Sequence, residues 1–286
     1  GDAAYGLYLN TSDSNTTNIT GNIITSGLSS RGVYLENSDE NSITMTGNIT
    51  TSGTGADGIL IDNASSSNTI NMTGNFTTSG SGASAVVIDN ASNNNIINLT
   101  SNVISSGTGS HGIEIISSDS NTVNWIGGMT STNTGSHAIL INDSESNIIN
   151  ITGDINSSGL GATAMWIAGA TVSNTINLTG NINVTGQNAS GLYIRTGSNS
   201  NTFTINGNII TSGTDGDSEP ILLEGSDSNT FTLSGAVHSL GGDQAIAVDA
   251  TSQNNTFTFK RGVSFIGGLE NNGGSTNKLI FDMGKA

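Results

Sequence analysis

The stretch Ser42-Ile43-Thr44-Met45-Thr46-Gly47-Asn48-Ile49-Thr50-Thr51-Ser52-Gly53 decides the fold. Its centre, Thr46-Gly47-Asn48-Ile49, returns as Thr73-Gly74-Asn75-Phe76, Thr152-Gly153-Asp154-Ile155 and Thr179-Gly180-Asn181-Ile182, with looser copies at Ser101-Asn102-Val103 and Asn206-Gly207-Asn208-Ile209. A second string, a small residue followed by apolar-x-apolar, begins at Gly6, Gly32, Gly58, Ala85, Gly112, Ala138, Ala164, Gly191, Pro220 and Ala245. Neighbouring starts lie 26, 26, 27, 27, 26, 26, 27, 29 and 25 residues apart. So tight a period means stacked, nearly identical units.

Within each unit the apolar residues alternate with polar ones, the period of a strand. A first strand carries pairs such as Val33/Leu35, Ile59/Ile61 and Ile139/Ile141. A second follows an Asn and carries Ile43/Met45, Ile70/Met72 and Val123/Trp125. A third, shorter strand places Ile49, Phe76, Met129 or Ile182 before Thr-Ser-Gly or its variants. The pattern predicts an all-β, single-domain parallel β-helix of about ten coils of 26–27 residues, with three short strands per coil. Each coil buries its apolar face only against its neighbours, and coils stack about 4.8 Å apart. Repeats cover 1–259, and 260–286 read as an irregular C-terminal coil, a cap or a junction to a further domain.

Two turn columns accompany the strands. Asn15, Asn41, Asn68, Asn95, Asn121, Asn147, Asn174, Asn201, Asn229 and Asn255 precede the second strand. Asn tolerates left-handed backbone and can hydrogen-bond to its own copies along a stack, so the column reads as a structural ladder rather than a ligand row or glycan array. Gly21, Gly47, Gly74, Gly127, Gly153, Gly180, Gly207 and Gly235 mark a bend that requires positive φ or close backbone approach.

Composition narrows the function. The 286 residues include 39 Gly and no Cys, which excludes disulfides and thiolate chemistry. Six Lys+Arg against 22 Asp+Glu leave a net charge of −16, which argues against nucleic-acid or anionic-membrane partners. No stretch approaches the ~18 apolar residues of a membrane-spanning helix.

Gly-Asp-Ala-Ala-Tyr-Gly-Leu-Tyr-Leu-Asn at 1–10, Ser-Asp-Ser-Asn-Thr at 12–16 and 118–122, and the Thr-Gly-Asn-Ile-x-Thr-Ser-Gly run at 46–53 resemble bacterial autotransporter passenger repeats, solenoids of pectin-lyase-like type. The resemblance covers nearly the whole chain. It implies export to the outer surface, in a Gram-negative bacterium, and a role as rod, stalk or adhesin. It carries over no catalytic residue.

Function must then lie in outward columns. An apolar one threads the first strand: Tyr8, Tyr34, Leu60, Val87, then Glu114, then Leu140, Trp166, Tyr193 and Leu222. Alternation turns these side chains away from the core, and a long apolar stripe on a rod marks an interface; coverage by another segment is the competing explanation. Glu36, Asp62, Asp89, Glu224 and Asp249 form an acidic column, but it dissolves into Ile116, Asn142, Ala168 and Arg195 and lacks a loop-borne acid–base cluster. His111 and His137 occupy equivalent places on adjacent coils and read as exposed turn residues rather than a metal pair. Thr20, Thr46, Thr73, Thr100, Thr152 and Thr179, beside an Asn/Thr column at Asn18, Thr44, Asn71, Asn98, Asn124 and Asn150, form an array of the kind by which some β-solenoids order water and bind ice. Ile126, Asn206, Ser234 and Lys260 break it, however, and such residues also simply suit exposed strands.

The expected protein is therefore a non-enzymatic extracellular rod, without cofactor or metal, presenting a repetitive face to a surface glycan, a protein or further copies of itself. The competing expectations are a subunit of a cell-surface filament or matrix, and a polysaccharide-binding or polysaccharide-cleaving β-helix.

Overall fold

A computed structural model describes residues 1–214, 217–273, 276–282 and 284. The chain winds into a parallel β-solenoid with three strands per coil and no α-helix among the described residues. First strands (Leu7–Asn10, Val33–Glu36, Ile59–Asp62 and their successors) form an 11-stranded sheet. Second strands (Thr16–Thr20, Ser42–Thr46, Thr69–Thr73 and onward) form another of 11, and third strands (Ile23–Thr25, Ile49–Thr51, Phe76–Thr78 and onward) one of 10. Register is strict: Val33 pairs with Ile59, Ile70 with Ile97, and Phe76 with Val103. Every predicted inward column is therefore a physical stack.

One continuous apolar core runs along the axis. It is chiefly Ile, Leu and Val until a Phe stack, Phe203–Phe231–Phe257, takes over with ring centroids 4.9 and 4.6 Å apart. The bulky Trp125 is accommodated because its indole N–H donates to the Ser101 carbonyl at 2.8 Å. Beyond residue 259, Phe265–Ile266, Leu269–Asn271 and Lys278–Asp282 pair in parallel with the coil before them. Asn277 there accepts the Asn255 amide at 2.8 Å, and Lys260 pairs with Asp282 at 2.7 Å.

The Asn column is a ladder, but its backbone reason differs from the expected one. The left-handed residue is the one before each Asn: Ser67 (φ 59°), Asn94 (φ 58°), Ser120 (φ 58°) and Ser173 (φ 59°) are examples. The Asn itself is selected for hydrogen bonding. Asn95 Oδ1 accepts both the backbone N–H and Nδ2 of Asn68, at 2.9 and 3.0 Å. Its Nδ2 donates to the Ser65 carbonyl at 2.9 Å and Asn121 Oδ1 at 3.1 Å. Turns leave amides that strand pairing cannot reach, and buried amides must find acceptors. A parallel column of buried serines answers the same need: Ser65 Oγ accepts the Ser38 amide at 3.0 Å, and Ser118 Oγ the Ser92 amide at 3.2 Å.

Candidate functional site

The outer face of the first sheet carries the chemically varied side chains. Register places the whole stripe in one file: Tyr8 opposite Tyr34, Tyr34 opposite Leu60, Leu60 opposite Val87, Val87 opposite Glu114, Glu114 opposite Leu140, Leu140 opposite Trp166, Trp166 opposite Tyr193, and Tyr193 opposite Leu222. These residues lie outside the axial core, as alternation requires. Their exposure is uneven. Tyr8 is 40% exposed and Leu140, Trp166 and Tyr193 are half-buried, but Tyr34, Leu60, Val87 and Leu222 are only 4–7% exposed. Tyr34, Leu60 and Val87 form a small second apolar cluster with Tyr5 against it. The exposed stripe expected from alternation, broken at Glu114, is thus a recessed strip with two accessible windows.

Flanking columns create the recess. On one side stand Arg31, Asp57, Ser84, His111, His137 and Thr163. The two histidines are buried, not exposed turn residues, and their rings stack with centroids 5.2 Å apart. Their neighbours explain why. Asp57 Oδ1 accepts the Ser84 amide (3.0 Å), Ser84 Oγ the His111 amide (3.0 Å), His111 Nδ1 the His137 amide (3.0 Å), and His137 Nδ1 the Thr163 amide (3.1 Å). Asp, Ser and His share one capacity, an acceptor close to the backbone, and each fills the same place on successive coils. Accepting at Nδ1 puts the proton of each neutral imidazole on Nε2. Burial holds His111 down to about 4, and burial together with the neighbouring His111 holds His137 down to about 3. The folded imidazoles therefore stay neutral, so their contribution to stability declines as pH falls below the usual 6.5. No cluster of three or more metal-ligating side chains occurs among the described residues.

On the other side the acidic column is occupied by hydrogen bonds from the coils before and after it. Glu36 accepts the Tyr8 hydroxyl and, at 3.1 Å, Asn63 Nδ2; Asp62 accepts Asn90 Nδ2 at 2.7 Å and the Tyr34 hydroxyl at 3.5 Å. Glu224 accepts the Tyr193 hydroxyl. Between the columns, Glu114 takes the Ser84 hydroxyl at 2.8 Å, and burial pushes its carboxyl up. Asp57 is raised to about 7, chiefly by burial, against the opposing pull of the Ser84 amide and of Arg31, whose Nε lies 3.3 Å away.

The two windows are aromatic. At one, Tyr8 stacks on Tyr34 at 5.0 Å with Tyr5 at 4.8 Å from Tyr8. At the other, His137, Trp166 and Tyr193 form a chain with centroid separations of 4.7 and 4.9 Å, and the Arg195 guanidinium lies 5.3 and 5.2 Å from the Trp166 and Tyr193 rings. This second window offers an amphipathic platform: indole, phenol and guanidinium within one contact patch, on strands that cannot shift register. Tyr5, Arg31 and Arg195 were missing from the sequence-derived stripe. The small-residue string that marks each coil start could not show that arginines three before Tyr34 and two after Tyr193 reach over the rings of the strip.

Glu219 provides a test of burial on this face. It is buried beside Asp243, Asp217 and Glu224, its Oε2 has no hydrogen-bond partner among the described residues, and burial first, then those carboxylates, raise it to about 7. The folded chain keeps this proton up to about pH 7, whereas the unfolded chain releases it near 4.5, so stability falls as pH rises between those values. Glu219→Gln is expected to raise the melting temperature at pH 8 and leave it unchanged at pH 4, as thermal melts across that range would show. An equal gain at both values refutes the assignment.

Compared with known proteins, the chain matches no family model, no curated protein and no solved structure.

Proposed function

We propose that the protein is a non-enzymatic extracellular rod, an adhesin-like or stalk passenger of the autotransporter type, that presents the outer face of its first sheet to a surface glycan or protein. The observation that carries this reading is the Trp166–Tyr193–Arg195 window, half-buried aromatic rings under a guanidinium on a rigid solenoid. Side chains of this kind dominate contact energy, because they bring large area at low entropic cost. A register-locked scaffold loses little freedom on binding, and repetition along a rod lets weak contacts add. The carboxylates of the same face support a binding role over hydrolysis: Glu36, Asp62 and Glu224 are engaged by Tyr and Asn donors.

The test is adhesion of the purified chain to glycan arrays and to cell monolayers, compared with Trp166→Ala/Tyr193→Ala. Both positions lie outside the axial core, so circular dichroism should be unchanged. Loss of two aromatic anchors should weaken binding by roughly 100-fold, at about 1.4 kcal/mol per tenfold. Undiminished binding by the folded double variant overturns the reading, and so does glycan cleavage that disappears in Asp62→Asn.

A further inference from the structure

The outer face of the second sheet is of a different kind. Its strands read Thr-x-Asn-x-Thr at 69–73 and 175–179 and Ile-x-Asn-x-Thr at 96–100 and 148–152, with the central side chain and both flanking ones turned to solvent. Register aligns them without offset: Asn71 lies opposite Asn98, Asn98 opposite Asn124, Asn124 opposite Asn150, and Asn150 opposite Asn177. Each Asn donates Nδ2 to Oδ1 of the coil before it, at 2.8, 2.8, 2.8 and 2.9 Å along this run. That ladder fixes every amide in one orientation and leaves each with a spare donor and acceptor facing outward. The flanking Thr and Ile are β-branched, so their methyls and hydroxyls are also confined to few rotamers.

We propose that this face binds ice. Strand pairing and strand rise set a mesh of about 4.8 Å along the axis by about 6.6 Å across it; the first lies close to the a-axis oxygen repeat of hexagonal ice and the second about a tenth short of its c-axis repeat. Between Asn71, Asn98 and Asn124 on one side and Thr73, Thr100 and Ile126 on the other runs an open trough of about 310 Å³. At about 30 Å³ per molecule it has room for a file of water. Charge points the same way. The chain carries 22 acidic and 6 basic residues, yet none stands in these three outward columns from Thr16 to Thr258; the first is Lys260. A neutral lattice is complemented by a neutral face, whereas a charge would hold its own hydration shell out of register with ice. The exposed Ile96, Ile126 and Ile148 interrupt the hydroxyls but not the charge-free, methyl-bearing pattern. Preordered donors, acceptors and methyls reduce the entropic cost of immobilising each water, and the many coils make the contact multivalent. The site lies on a different sheet from the aromatic windows and does not depend on them.

The test freezes a dilute solution of the intact protein slowly onto a cold finger and assays the protein in ice and in liquid, alongside thermal hysteresis and crystal shape. The wild-type chain should enrich in the ice at least about tenfold over an albumin control, as expected for a multipoint contact. Thr100→Tyr/Thr152→Tyr puts bulk on an exposed strand face that tolerates aromatics, and Asn124→Asp puts a charge in the ladder. Each should abolish the enrichment with an unchanged circular dichroism spectrum, while Trp166→Ala/Tyr193→Ala should retain it. Exclusion of the wild-type chain from ice overturns the proposal. Retention by both folded second-sheet variants also overturns it, and so does capture on crystalline cellulose without capture on ice.

Discussion

Asn95→Leu should lower the unfolding free energy by about 3–5 kcal/mol, read as a shift of the urea midpoint, because several buried polar groups lose their partners at once. Asn95 is fully buried. Removing its amide strips an acceptor from both the backbone N–H and Nδ2 of Asn68, and a donor from the Ser65 carbonyl and Asn121 Oδ1. Leu keeps the four-atom, Cγ-branched skeleton of Asn and leaves no cavity, so the loss reports on the unpartnered polar groups rather than on a void. The control lies three residues away. Asn98 makes side-chain bonds as short, 2.8 Å to Asn71 and to Asn124, but on the solvent face. Water replaces what Asn98→Leu removes, and that change should cost less than about 1 kcal/mol. Equal losses at the two sites would show that the ladder geometry, not burial, sets the energy.

The second large effect is expected at Gly153. A Cβ there would lie 2.1 Å from the carbonyl oxygen of Gly127, and the residue has φ of +149°, a region in which L side chains are strained. The neighbouring coil cannot retreat, because its strand Thr122–Ile126 is paired on both sides. Gly153→Ala should cost on the order of 3–5 kcal/mol. In a solenoid stability is a sum over coils and the interfaces between them. The damage should therefore concentrate at one interface, and amide hydrogen exchange should show the flanking strands Ile148–Thr152 and Ile155–Ser157 opening before the distant coils. Uniform loss of protection along the rod would contradict this nearest-neighbour picture.

The His111–His137 pair shows why part of the first-sheet face escaped the sequence. A column containing Asp57, Ser84, His111, His137 and Thr163 has no shared polarity class, size or charge, so it reads as an arbitrary turn. In the fold each supplies an acceptor to the backbone amide one coil on, and Thr163 Oγ1 extends the run to the Ser190 amide at 3.3 Å. The Asn column was legible because a single residue type recurred. Its backbone role was misplaced by one position, since φ is a property of the chain path and Ser, Glu or Asn can occupy the left-handed place before it.

Periodicity by itself determined the solenoid. Alternation fixed which residues of each strand face the axis, and the 26–27-residue period fixed which of them stack, because a slip by one residue would turn every apolar side chain outward. Facing, however, is not depth. Tyr34, Leu60, Val87 and Leu222 point away from the core as alternation requires, yet only the tertiary structure revealed that they lie in a recess while Trp166 and Tyr193 remain accessible. Depth depends on what the turns before and after a strand raise beside it, here Arg31, Asp57 and the histidines on one side and Glu36, Asp62 and Asn63 on the other. Those heights are set by contacts between coils about 26 residues apart, which no local pattern encodes.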